Sequence, residues 1–137
     1  MKKREPISHI MSSELVTVNV NTPLRETREL FKKNNVRHIP VVSGDKLIGI
    51  LSYTDIMRIS FGGNFEQDNA DEAIFDMLSI NQVMKSDVQT VSPDDNIRDI
   101  AEILTKVEFH ALPVTEGEKL VGIVTTTDII QYLVDQY

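Results

Sequence analysis

A mixed α/β (α+β) fold, built from two consecutive β-α-β-β-α units, is predicted by three features of this 137-residue chain. Offset by 73 residues, the chain aligns with itself, 7–60 on 80–133, without a gap and with eighteen identities. Each copy places a helix-period segment after a β-branched run. Each copy then closes on two apolar runs around a polar, glycine-containing turn, the pattern of a hairpin.

The elements follow in order. "ELVTVNV" and "DVQTVSP" have the β-branched content of a short strand. "TPLRETRELFKKNN" opens with Thr-Pro, a cap and a good first helical residue, and ends in Asn-Asn. Leu24, Thr27, Leu30 and Phe31 share one face of it, as do Ile97, Ile100, Ala101, Ile103 and Leu104 in the second copy. "RHIPVVSGDKLIGIL" and "HALPVTEGEKLVGIV" are the hairpins, followed by short helices at "TDIMRIS" and "TDIIQYLV". The boundaries are repeat 1 over 1–60, a linker over 61–79 whose "ADEAIFDML" suits one more helix, and repeat 2 over 80–137. A three-stranded unit of about 55 residues leaves an apolar face uncovered, so the two repeats are expected to pack as one pseudo-twofold module.

Composition narrows the function. A 41% hydrophobic and 26% charged chain is globular, and no apolar run approaches the ~20 residues of a membrane span. The start, "MKKREPISHIM", lacks the apolar stretch of a secretory signal, and the absence of cysteine removes disulfides and thiol catalysis. A cytoplasmic protein is expected. A formal charge of −7 argues against nucleic acid as partner, although basic residues gather at 2–4 and 31–38, enough for a small anion. GxSxG, P-loop and HExxH motifs are absent, and His9, His38 and His110 lack metal-ligand spacing, so neither enzyme chemistry nor a metal is expected. The carboxylates of "QDNADE" (67–72) read as a solvated linker or helix start.

"GILSYTDI" (49–56) and "GIVTTTDI" (122–129) carry the chemistry. Ser52 with Asp55, and Thr125 with Asp128, have capping-box spacing: the hydroxyl caps the helix and the acid reaches back. The same groups also suit a nucleotide. Free amides and hydroxyls at a helix start attract phosphate, an acid one turn in accepts from ribose hydroxyls, and Gly49 and Gly122 mark close approach of a ligand or another backbone.

With "IMSSELVTV", "VRHIPVV", "GDKLIGILSYTDI" and their copies, the chain resembles a pair of cystathionine-β-synthase (CBS) domains over about 7–60 and 80–135. Such pairs form Bateman modules whose clefts, between the two repeats, often bind AMP, ATP or S-adenosylmethionine. The resemblance implies ribose on Asp55 and Asp128, and phosphate or ribose on Ser52, Thr54, Thr125 and Thr127. Thr17 and Thr90 would lie beside the base, walled by Ile39 and Leu112 with Val36 and Phe109 nearby. Arg37, His38 and His110, ahead of the prolines, would meet phosphate. Arg offers a permanent fork of donors where His offers one, so the two sites are expected to be unequal. The resemblance further implies a regulatory adenine-nucleotide sensor without catalysis or a required cofactor, a homodimer formed through helices, and an unidentified effector protein. The alternatives are a scaffold that binds nothing, or a sensor of S-adenosylmethionine, NAD or a cyclic dinucleotide.

Overall fold

A computed structural model describes residues 4–61, 68–107 and 110–137. A single 3-10 turn, Ile7–His9, precedes α1 (Leu24–Asn34), β1 (His38–Ser43), β2 (Lys46–Ser52), α2 (Tyr53–Phe61) and α3 (Asp68–Met77). There follow α4 (Ile80–Val83), α5 (Ile97–Lys106), β3 (Ala111–Glu116), β4 (Lys119–Thr125) and α6 (Thr126–Asp135). The mixed α/β architecture matches the expectation, including the helix α3 anticipated in "ADEAIFDML".

Four strands pair as two antiparallel hairpins in the same register: His38 opposes Ser52 and Ala111 opposes Thr125. Gly44 and Gly117 lead their two-residue turns at φ 61°, a conformation that favours glycine. α1 ends on Asn35 at φ 51° and ψ 43°, the left-handed cap suited to asparagine. Its start differs from expectation. Pro23 holds the cap position, and the Thr22 hydroxyl instead accepts from the Asn19 amide at 3.1 Å, closing a turn.

The opening strand of each repeat is shorter than predicted. Val18 alone bridges Val41 in parallel, its amide donating to the Pro40 carbonyl at 3.1 Å. Val91 bridges Val114 in the same way. Turns at Asn19–Thr22 and Ser92–Asp95 cut both strands off after that residue.

By contact, the chain divides into two compact units that do not follow the repeat boundaries. One comprises Val16–Val88; the other combines the residues up to Leu15 with Gln89–Tyr137. Each hairpin thus carries the opening segment of the other repeat. Ile50 and Lys85 exchange two backbone hydrogen bonds (2.9 and 3.0 Å), and so do Ser12 and Ile123 (2.9 and 3.0 Å). "ISHIMSS" and "INQVMKS" are copies, so pattern alone cannot tell which hairpin each will join.

The glycines permit this. A Cβ on Gly49 would stand 2.5 Å from Met84 Sδ and 2.9 Å from the Lys85 carbonyl. On Gly122 it would meet Met11 Sδ at 2.5 Å and the Ser12 carbonyl at 3.1 Å. Of the two expectations for these glycines, the close partner is another backbone.

Each unit has its own core. Leu24, Phe31, Ile39, Val41, Leu51, Ile56, Phe75 and Ile80 fill the first. Ile7, Ile97, Ile100, Leu112, Val114, Val124 and Tyr132 fill the second. Tyr132 also reaches Glu5 Oε1 at 3.4 Å, and burial and that carboxylate raise its phenol above the ordinary value.

Substituting Gly49→Ala should destabilise the fold by about 1–3 kcal/mol through overpacking. Gly122→Ala should cost less, because its backbone neighbour stands 0.2 Å further away (3.1 against 2.9 Å). Denaturant unfolding of both variants checks the order.

Candidate functional site

Equivalent side chains gather at one end of each hairpin, where the strand before the turn begins and the following helix starts. In the Val16–Val88 unit the register sets His38 opposite Ser52 and Ile39 opposite Leu51. The Tyr53 amide donates to the Arg37 carbonyl at 2.8 Å, fixing the start of α2 against the corner ahead of Pro40. Because Val18 runs parallel to Val41, Thr17 lies toward the same end, and it is exposed.

At the start of α2, Ser52 Oγ accepts from the Asp55 amide at 3.0 Å, the first half of a capping box. The second half is missing. Asp55 Oδ1 lies 3.4 Å from Arg58 Nη1, while Oδ2 is buried with no hydrogen-bond partner. The side chain is only 12% exposed, so this is a nearly desolvated carboxylate with a spare acceptor. Such an oxygen is costly to leave unpaired. Thr54 is exposed beside it. The exposed Arg37 guanidinium stands 5.6 Å from the Tyr53 ring centroid, and Tyr53 meets Phe31 edge-on at 5.7 Å.

The other unit repeats the backbone and changes the side chains. The Thr126 amide donates to the His110 carbonyl at 2.9 Å, as Tyr53 does to Arg37. Here the capping box is complete: Thr125 Oγ1 accepts from the Asp128 amide at 3.1 Å, and Asp128 Oδ2 accepts from the Thr125 amide at 2.9 Å. One turn further on the copies also differ: Arg58 Nη1 pairs with Asp55 Oδ1, whereas its mate Gln131 bonds to Asp135. Ala111 replaces His38, and exposed Thr90 and Thr127 mirror Thr17 and Thr54.

Not all the expected residues face such a site. Ile39 and Leu112 are fully buried in the two cores. Val36 packs against the first core while partly exposed. His38 is partly buried and His110 exposed. Phe109 lies outside the described residues. Two contributors escaped the sequence reading, Arg58 and Tyr53. An acid–base pair three residues apart on a helix was the available signal for Arg58. Among the described residues no His, Asp and Glu cluster would hold a metal, and no helix is long and apolar enough to cross a membrane.

Two hairpin–helix modules, each ending on a hydroxyl–acid helix start, define a tandem-repeat module. The CBS domain model matches residues 7–62 and 80–135, and the chain belongs to the CBS domain family. The uncharacterized protein MJ1232 of Methanocaldococcus jannaschii is 35% identical over 121 residues, covering 88% of this chain and 36% of that protein. The chain spans less than half the length of the first curated relatives it matches. Among solved structures, the CBS domain pair of protein MJ0100, in complex with 5′-methylthioadenosine and S-adenosyl-L-methionine, superposes with a TM-score of 0.81. It is 24% identical, covering 97% of this chain and 98% of that one. CBSX2 in complex with AMP superposes with a TM-score of 0.80 at 21% identity, covering 96% and 97%. CBSX2 is a CBS-pair protein of Arabidopsis thaliana.

The two acids should contribute unequally to stability. Asp128→Ala removes a charge-assisted cap bond and should cost about 1 kcal/mol. Asp55→Ala loses a surface ion pair of little worth but also removes a buried unpaired oxygen, so its effect should be near zero. Thermal unfolding without added nucleotide checks the contrast.

Proposed function

We propose that the chain is a regulatory module, without catalysis of its own, that binds an adenosine-containing nucleotide of the AMP, ADP or ATP class. Occupancy would be passed to a separate effector protein. The observation that carries this reading is the buried, unpartnered Oδ2 of Asp55 at the start of α2, beside the Ser52 and Thr54 hydroxyls. A ribose hydroxyl supplies the donor that this oxygen lacks. Arg37, exposed at the same corner, supplies charge for a phosphate, and Thr17 lies toward the base. The AMP bound by CBSX2, and the methylthioadenosine and S-adenosylmethionine bound by MJ0100, support an adenosine core.

The two sites are unequal in this reading. Asp55 must turn its buried Oδ2 outward but breaks no hydrogen bond to that oxygen, whereas Asp128 must first release the Thr125 amide. Loss of one hydrogen bond to a charged group is about 1.5–3 kcal/mol, so the Asp128 site should be weaker by about tenfold or more. A ligand shifts the conformations of such a module only by its difference in affinity between them.

Calorimetric titration with AMP, ADP, ATP and S-adenosylmethionine tests this. A tight phase is expected with at least one of them, lost in Asp55→Ala and retained in Asp128→Ala. Arg37→Ala should weaken AMP while leaving adenosine unchanged. A tight phase that survives Asp55→Ala would remove Asp55 from the site, and no heat with any of the four would overturn nucleotide binding and leave the scaffold reading.

A further inference from the structure

The corner that carries Arg37 differs between the copies at three positions that adjoin in a row. In the Val16–Val88 unit, Phe31 is fully buried in the core and meets the Tyr53 ring edge-on, with centroids 5.7 Å apart and an interplanar angle of 64°. The exposed Arg37 guanidinium lies 5.6 Å from the centroid of the same ring. At the 73-residue offset the mates of Phe31, Arg37 and Tyr53 are Leu104, His110 and Thr126. Every member of the row is thus replaced, by an aliphatic residue, an imidazole and a hydroxyl.

The backbone beneath does not change. The Tyr53 amide donates to the Arg37 carbonyl at 2.8 Å, and the Thr126 amide to the His110 carbonyl at 2.9 Å. The ring is therefore not needed to close the corner. What it adds is a grip on the Arg37 side chain, and the contact with Phe31 anchors that grip in the core. An arginine held over a ring by its face keeps the N–H fork at its edge free for a phosphate. Among the described residues the Arg37 guanidinium is in no ion pair. A loose arginine loses rotamer freedom when it meets an anion, and a ring that already orders it removes part of that penalty.

We infer that Tyr53 is a positioning residue: it holds the Arg37 guanidinium at the start of α2 and so sets a preference there for nucleosides that carry a phosphate. The inference rests on the nucleotide reading above and adds to it what the site selects. The helix start at Thr126, with neither the ring nor the guanidinium, makes no such selection.

Calorimetric affinities for AMP and adenosine in wild type, Tyr53→Leu and Tyr53→Phe test it, with the Arg37 side-chain NMR signals followed in the same proteins. Leucine keeps an apolar group on the core without a ring; phenylalanine keeps the ring. The preference for AMP over adenosine is expected to fall about two- to tenfold in Tyr53→Leu and to persist in Tyr53→Phe. The Arg37 δ-methylene protons, moved upfield by the ring in wild type and Tyr53→Phe, should return to their ordinary position in Tyr53→Leu. Tyr53→Met, whose flexible side chain fills the same gap, carries the same expectations if the leucine variant does not fold. Equal losses for AMP and adenosine overturn the inference while nucleotide binding stands, because the ring then only shapes the fold. So does a wild type without a preference for AMP, a preference that survives loss of the ring, or Arg37 signals indifferent to that loss. Wild type that binds neither ligand overturns the nucleotide reading itself, and this inference with it.

Discussion

Two pairs of backbone hydrogen bonds, Ile50 with Lys85 and Ser12 with Ile123, hold the arrangement on which everything else depends. They form because Gly49 and Gly122 have no side chain to keep the incoming segment away. They place Ile80 in the core of one unit and Ile7 in that of the other, both fully buried. These bonds anchor each hairpin two residues from the helix start, beside the corner before the proline where exposed polar side chains gather.

At that end the two copies have diverged by very little and yet differ in chemical state. Three residues after the acid the copies carry Arg58 and Gln131: Arg58 pairs with Asp55, while Gln131 turns to Asp135 and Asp128 bonds back to its own cap. Asp128 is satisfied by the chain; Asp55 keeps a buried acceptor. The two helix starts therefore differ in readiness to accept a donor.

Much of this was legible in the sequence because it is local. Apolar period 3.6, the glycine turns and the hydroxyl–acid spacing located α1, α5, both hairpins and the starts of α2 and α6. The exchange of opening segments was not legible, because two copies of one segment present apolar residues at matching positions to two copies of one hairpin. Nor was the brevity of the first strand, which depends on side-chain turns at Asn19 and Ser92 that compete with the ladder. Ile39 and Leu112 illustrate a third limit. Their position before a proline marks the corner correctly, but the pleat alone decides that their side chains point into the core.

The exchange has a consequence for ancestry. A single repeat, expressed alone, would own a hairpin with an empty edge and an opening segment suited to fill the same edge on a sister molecule. Two such molecules trading arms would satisfy both edges, and a tandem duplication would then weld the swapped dimer into one chain. The 73-residue offset fits such a history, and the reciprocal bonds at residues 12 and 85 are where it would leave its seams.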